Sequence, residues 1–262
     1  MEHIGPFLFN AIRFALGGLW LLPFLFLTKR NRPILQELLK KDTLWKGIVL
    51  GSILFIAASL QQIGIIYTTA GKAGFITSLY VILVPIFGIL IRKSTGLSTW
   101  IGAFIALLGL FLLSFHSEII IGKGDLIVFS AAFLWAFHVL LIDRFVDQTS
   151  ALMLALYQFL ICSLLSTITT LFFEPFHWIE LTKAVLPILY AGLFSVGVGY
   201  TLQVVAQKEA HPSHAAIIMS LESVFAALGG WMILNESLSH RELLGCGLML
   251  SGMIISQLRI TR

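Results

Sequence analysis

The sequence predicts an all-α polytopic membrane protein with nine transmembrane helices, and three observations predict it. Of 262 residues, 58% are hydrophobic and 11% are charged, against roughly 25% charged in an ordinary soluble domain. A soluble fold of this length needs a charged surface, and this composition lacks one. Apolar runs of about twenty residues recur along the whole chain, each long enough to cross ~30 Å of hydrocarbon as a helix. Only short polar loops separate them, which leaves no room for a soluble domain.

Span A (6–27) has its positive charges behind it, at Lys29, Arg30 and Arg32. A cleaved signal peptide carries them in front. The basic stretch 28–46 is the one sizeable loop and predicts a short surface helix. Span B (45–67) is an unbroken apolar run. In span C (73–91), Pro85 and the preceding Gly71 and Gly74 are positions where the helix could break or bend, although proline is also tolerated in membrane helices. Spans D (99–115) and I (243–258) contain no ionisable side chain. Their small residues, Gly102, Ala106 and Gly109, then Gly245, Gly247, Ser251 and Gly252, permit close helix approach. They read as packing or dimer-contact helices, so a homodimer is left open. Spans E (124–142), F (151–173), G (184–205) and H (214–234) complete the set.

Charge sets the orientation. With the N-terminus outside, the cytoplasmic loops and C-terminus hold Lys29, Arg30, Arg32, Lys40, Lys41, Lys46, Arg92, Lys93, Arg144, Lys208, Arg259 and Arg262. The opposite side holds Lys72, Lys123, Lys183 and Arg241. Lys and Arg favour the cytoplasmic side, so the expected topology is N-out, C-in, in the cytoplasmic membrane. The same placement explains the net charge of +4 by membrane orientation, and no nucleic-acid partner is expected. Cys162 and Cys246 lie inside apolar runs, so neither a disulfide framework nor a metal cluster is implied.

The chain also repeats itself. Without gaps, at an offset of 142, Leu60, Gln61, Ala73, Ser78, Leu79 and Gly88 match Leu202, Gln203, Ala215, Ser220, Leu221 and Gly230. With one more residue, Gly102 and Gly109 match Gly245 and Gly252. Spans A–D therefore correspond to F–I, and E has no counterpart. Five-helix units are odd-numbered, so consecutive copies sit upside down relative to each other. The expected division is 1–118 for a four-helix first repeat and 119–262 for a five-helix second one.

The stretches "GPFLFNAIRF" (5–14), "LQQIGIIYTTAGKAGFITSLYVILVP" (60–85) and "SLESVFAALGGWMILNESLSHRELLGCGLMLSGM" (220–253) carry a resemblance to a known family. The chain resembles the drug/metabolite transporter superfamily, specifically the EamA-type permeases, over its whole length. The resemblance implies an inverted 5+5 repeat with the first helix missing ahead of residue 1.

Glu222 stands out within span H, roughly 12 Å from its cytoplasmic end. An ionisable group at membrane depth normally faces a cavity or a partner and marks a solute path. Pairing with another helix is the structural alternative. Glu222 also falls in the Ser-Leu-Glu signature that the resemblance carries. Its repeat mate is Tyr80, an aromatic wall with a hydroxyl that suits a metabolite site or satisfied packing. Arg13, with Pro6 in a Pro-x6-Arg pattern, needs a carboxylate, carbonyls or an anionic solute, or a snorkelled route to the outer interface. His138 lies at a depth close to that of Glu222 and could share a proton with it, or simply be packed. Gln61, Gln62 and Gln203 could line a cavity or join helices. Glu236, at the outer edge, reads as a cap or loop contact.

The resulting expectation is secondary-active transport, in the efflux direction, of a small metabolite such as an amino acid, amine or drug-like compound. Its partners are the lipid bilayer and the small-molecule substrate. No Walker motif is present, so ATP is not a direct driver, and no cofactor is expected; proton coupling is left open. No zincin or nucleophile-elbow motif supports an intramembrane enzyme. A non-transporting membrane subunit or an inactive, truncated transporter is the remaining alternative, favoured by the missing helix.

Overall fold

The computed structural model describes residues 4–28, 40–93, 95–114, 121–175, 178–234 and 237–258. Every regular element among them is helical. In order these are α1 (Pro6–Thr28), α2 (Lys41–Ile66), α3 (Ala70–Ser78), α4 (Tyr80–Leu90), α5 (Leu97–Ser114), α6 (Lys123–Val146) and α7 (Ala151–Phe173). Then follow α8 (Trp178–Lys183), α9 (Val185–Leu189), a π-helix, π1 (Tyr190–Tyr200), α10 (Thr201–Ala206), α11 (Pro212–Ser220), α12 (Glu222–Leu234) and α13 (His240–Gln257).

Among the described residues, eight helical stretches are long and apolar enough to cross a membrane, rather than nine. Span I is the one that differs. Its residues do form a helix, α13, but the helix opens with a capping box. The Ser239 hydroxyl accepts from the Glu242 amide at 3.3 Å, and the Glu242 carboxylate accepts from the Ser239 amide at 2.7 Å. That polar first turn, with His240 and Arg241, shortens the apolar part of the helix. The start of span B also moves, because α2 begins at Lys41. Asp42 in its first turn pairs with Lys46 one turn on, which extends the helix into the basic stretch. The surface helix expected over 28–46 otherwise falls largely outside the described residues, as does Glu236.

Spans C and H each cross as two pieces. Span C breaks between α3 and α4 at Leu79, whereas Pro85 lies buried inside α4. Span H breaks between α11 and α12 at Leu221. Both junctions use the same bonding. The Leu79 amide donates to Ile76 O at 3.2 Å and the Leu221 amide to Ile218 O at 3.1 Å, three residues back instead of four. The Leu83 and Phe225 amides then return to the four-residue spacing, donating to Leu79 O and Leu221 O. At the second junction a side-chain bond accompanies the break. The Ser220 hydroxyl donates at 2.7 Å to Ile217 O, the carbonyl that the Leu221 amide would use in a regular helix. The breaks are 142 residues apart (221 − 79), the offset of the sequence repeat.

The chain forms two compact units, neither continuous in sequence. The first comprises Met1–Gln62 and Leu141–Glu209. In it α1 runs antiparallel to α7, with Phe14 against Phe159 and the Ser163 hydroxyl donating to Ala11 O at 2.8 Å. At the start of α1 the Glu174 carboxylate accepts from the amides of Phe7 and Leu8, each at 2.8 Å. It thereby satisfies two of the donors that every helix start leaves unpaired. Leu16 of α1 lies against Gly192 of π1, and Phe14 meets Tyr200 at the end of π1.

The second unit comprises Ile63–Leu140 and Ala210–Arg262. Its spine is the antiparallel pair α5 and α13. A Cβ on Gly102 would lie 2.4 Å from the carbonyl oxygen of Gly252, and one on Gly109 would lie 2.5 Å from that of Gly245. No side chain fits there, so only glycine allows this approach. Leu110, Leu113, Leu221, Val224, Cys246 and Met249 pack beside the spine.

Candidate functional site

Two groups of side chains could act on a solute, one in each unit. In the second unit the group is built by the broken helices. Because the chain breaks at Leu79 and Leu221, Tyr80 and Glu222 become the first residues of α4 and α12. A carboxylate in the first turn of a helix sits at the positive end of its dipole. Glu222 reaches the accessible surface, so its charge is not sealed in the core of the unit. Tyr80 is half-buried and packs between two clusters, one around Val84, Ala136 and Ala216, the other around Val81, Ala103 and Ile217. Ser78 and Ser220, one residue before the breaks, are both buried. His138 is also buried, edge-on to Trp135 at 5.8 Å.

In the first unit the group lies along α1 and α7. Arg13 is buried, with its guanidinium 5.1 Å from the Phe9 ring and 4.9 Å from the Phe14 ring. On α7, Gln158 and Cys162, one turn apart, are both fully buried. Gln61 is half-buried near the C-terminal end of α2, and the Gln203 amide donates to the Gln207 side chain at 3.3 Å.

The structure thus gathers Arg13, Gln61 and Gln203 into one unit and Tyr80, His138 and Glu222 into the other. Several residues here were not singled out in the sequence. Asn10 is fully buried, and neither atom of its amide has a hydrogen-bond partner among the described residues. It lies three residues before Arg13, on the same face of α1. A polar residue at that spacing from an arginine inside an apolar run was the available signal. Gln158, Ser220 and Glu174 were also passed over. Among the described residues, no group of three or more His, Cys, Asp or Glu side chains converges as a metal site would require, and both cysteines are buried thiols.

The sequence pattern of the EamA-like transporter family matches residues 1–115 and 122–257. This chain belongs to that family. EamA-like relatives follow the match. An "uncharacterized transporter" of Archaeoglobus fulgidus is 31% identical over 261 residues, covering 99% of this chain and 79% of that protein. The "uncharacterized transporter YoaV" of Bacillus subtilis is 22% identical, covering 100% and 90%. A solved crystal structure superimposes on 97% of this chain and 88% of its own with a TM-score of 0.80 at 20% identity, a likeness of fold. The chain is therefore an integral, multi-pass membrane protein of a transporter family.

Proposed function

We propose that this EamA-like protein exports a small metabolite across the cytoplasmic membrane by secondary-active alternating access. The N-terminus is outside and the C-terminus inside. One observation carries the reading: two spans related by the repeat offset are broken at matching positions, each break followed at once by a residue able to bind a solute. Discontinuous helices of this kind are where transporters present polar groups at membrane depth. Glu222 contributes a carboxylate at one half-helix start, and Tyr80 contributes a ring and a hydroxyl at the other. The absence of a Walker sequence fits a cycle driven by a gradient or by exchange. Arg13 supplies a fixed positive charge for an anionic group on the solute.

Efflux from cells loaded with a metabolite panel tests this, comparing the native chain with Glu222→Gln at matched membrane abundance. The expected result is saturable, gradient-dependent efflux from the native chain and a loss of tenfold or more in the variant. Equal efflux from both removes Glu222 from the cycle. If efflux from native cells matches that from cells lacking the protein across the whole panel, export fails.

A further inference from the structure

Where α2 ends and α3 and α6 begin, an open cleft of about 360 Å³ lies within the second unit. Tyr67, Thr68, Thr69, Lys72, Gly122 and Asp125 line it. None of these residues belongs to either group described above, and the cleft carries opposite charges on its walls.

Asp125 forms the negative wall. It is buried, with 7% of its surface exposed. The Thr68 hydroxyl donates to Oδ1, and the Gly122 amide donates to Oδ2 at 2.9 Å. Each carboxylate oxygen offers two lone pairs, so each retains acceptor capacity after these bonds. The two bonds also fix the carboxylate in place before any ligand arrives, which lowers the ordering cost of binding.

The floor is equally fixed. A Cβ on Gly124 would lie 2.7 Å from Gly64 O and 2.9 Å from the Thr68 amide nitrogen, so the start of α6 rests directly on the backbone that ends α2.

Lys72 forms the positive wall. It stands in the first turn of α3, where its amide donates to the Thr69 hydroxyl at 3.3 Å, and its charge acts on Asp125. The α3 start adds further positive potential. Lys72 is half-buried and Tyr67 is 64% exposed, so one side of the cleft stays open. Asp125 and Lys72 both line this open cleft, so a ligand carrying two opposite charges can meet both of them.

We propose that this cleft binds a small zwitterion, its ammonium group on the Asp125 carboxylate and its acid group toward Lys72 and the first turn of α3. The site rests on the transport reading, in which it holds the solute at one mouth of the path.

The test uses the purified full chain in nanodiscs and three probes that share the isobutyl side chain: L-leucine, isoamylamine (leucine without its carboxylate) and 4-methylpentanoate (leucine without its ammonium). Binding is measured by titration calorimetry. Leucine is expected to bind at least tenfold more tightly than either singly charged probe. Lys72→Gln, which leaves both bonds to Asp125 intact, is expected to weaken leucine at least tenfold with an unchanged melting temperature. Asp125→Asn should do the same to leucine and serves as the second variant.

Leucine binding no tighter than the other two probes, or unaffected by Lys72→Gln, overturns the proposal. Efflux measured on the same variants separates the two readings. Export without zwitterion binding removes the cleft alone. Zwitterion binding in a protein that exports nothing removes the transport cycle alone.

Discussion

Within the second unit, two helix pairs related by the repeat solve opposite problems. In α5 and α13 the side chains are removed at the crossing, and Gly102 and Gly109 meet the backbone of Gly252 and Gly245 directly. In α3–α4 and α11–α12 the helices are interrupted instead, and the breaks place Tyr80 and Glu222 at new helix starts. The first pair brings two backbones together with no side chain between them. The second has local, three-residue hydrogen bonding at one point in each span, and bending there costs little further bonding. Sequence copies of one repeat thus yield a close-packed spine and two jointed elements, and Tyr80 and Glu222 stand on the joints.

The largest expected effect breaks the spine. Gly109→Leu sets a side chain where a single carbon would already lie 2.5 Å from Gly245 O and 2.7 Å from the Met249 amide. Overpacking typically costs about 1–3 kcal/mol where side chains can yield. Two backbones cannot yield, so a loss at or beyond ~3 kcal/mol is expected. Gly247→Leu, on the same helix α13 but with nothing within 4 Å of the added atom, should be close to neutral. Thermal melting in detergent compares the pair, and equal melting temperatures would mean that the spine is adjustable.

Much of this contrast was legible in the sequence. Runs of about twenty apolar residues identify spans because hydrocarbon thickness sets helix length. Glycines at 102, 109, 245 and 252 in runs free of charge mark close packing because nothing else removes a side chain. The ninth span was overcounted because apolar length alone was weighed, while Ser239 and Glu242 signalled a polar helix start. Span C breaks at Leu79, not at Pro85 or the glycines, because Pro85 is accommodated inside α4. The signal of the break is the repeated Ser-Leu pair at 78–79 and 220–221, and at the second pair a hydroxyl bond that periodicity does not register accompanies the break. The two compact units were not legible, because each draws on separate parts of the chain and only three-dimensional packing reveals that.

A smaller effect is expected where α1 is anchored in the first unit. The Glu174 carboxylate replaces the missing helical partners of the Phe7 and Leu8 amides. Its bonds are charge-assisted and partly shielded, and it also complements the helix dipole. Glu174→Ala should cost about 2 kcal/mol, the upper range for a lost cap. It should also speed hydrogen exchange in the first turn of α1 ahead of the remaining helix. Unchanged exchange there would show that packing against α7 holds that turn unaided.

The smallest expected change in stability sharpens the comparison most. Ser220→Ala removes the hydroxyl that occupies Ile217 O. The Leu221 amide is then able to return to a four-residue bond, and the joint should straighten with a stability change under ~1 kcal/mol, because one intrahelical bond replaces another. Slower hydrogen exchange at Leu221, with slower efflux, is the expected pair of readouts. An opposing force is present, since Leu221 is buried against Leu110, Val224 and Met249. If exchange at Leu221 does not change, that contact sets the break and the serine follows it. The joint would then share its origin with the spine it packs on, and a single core would govern both.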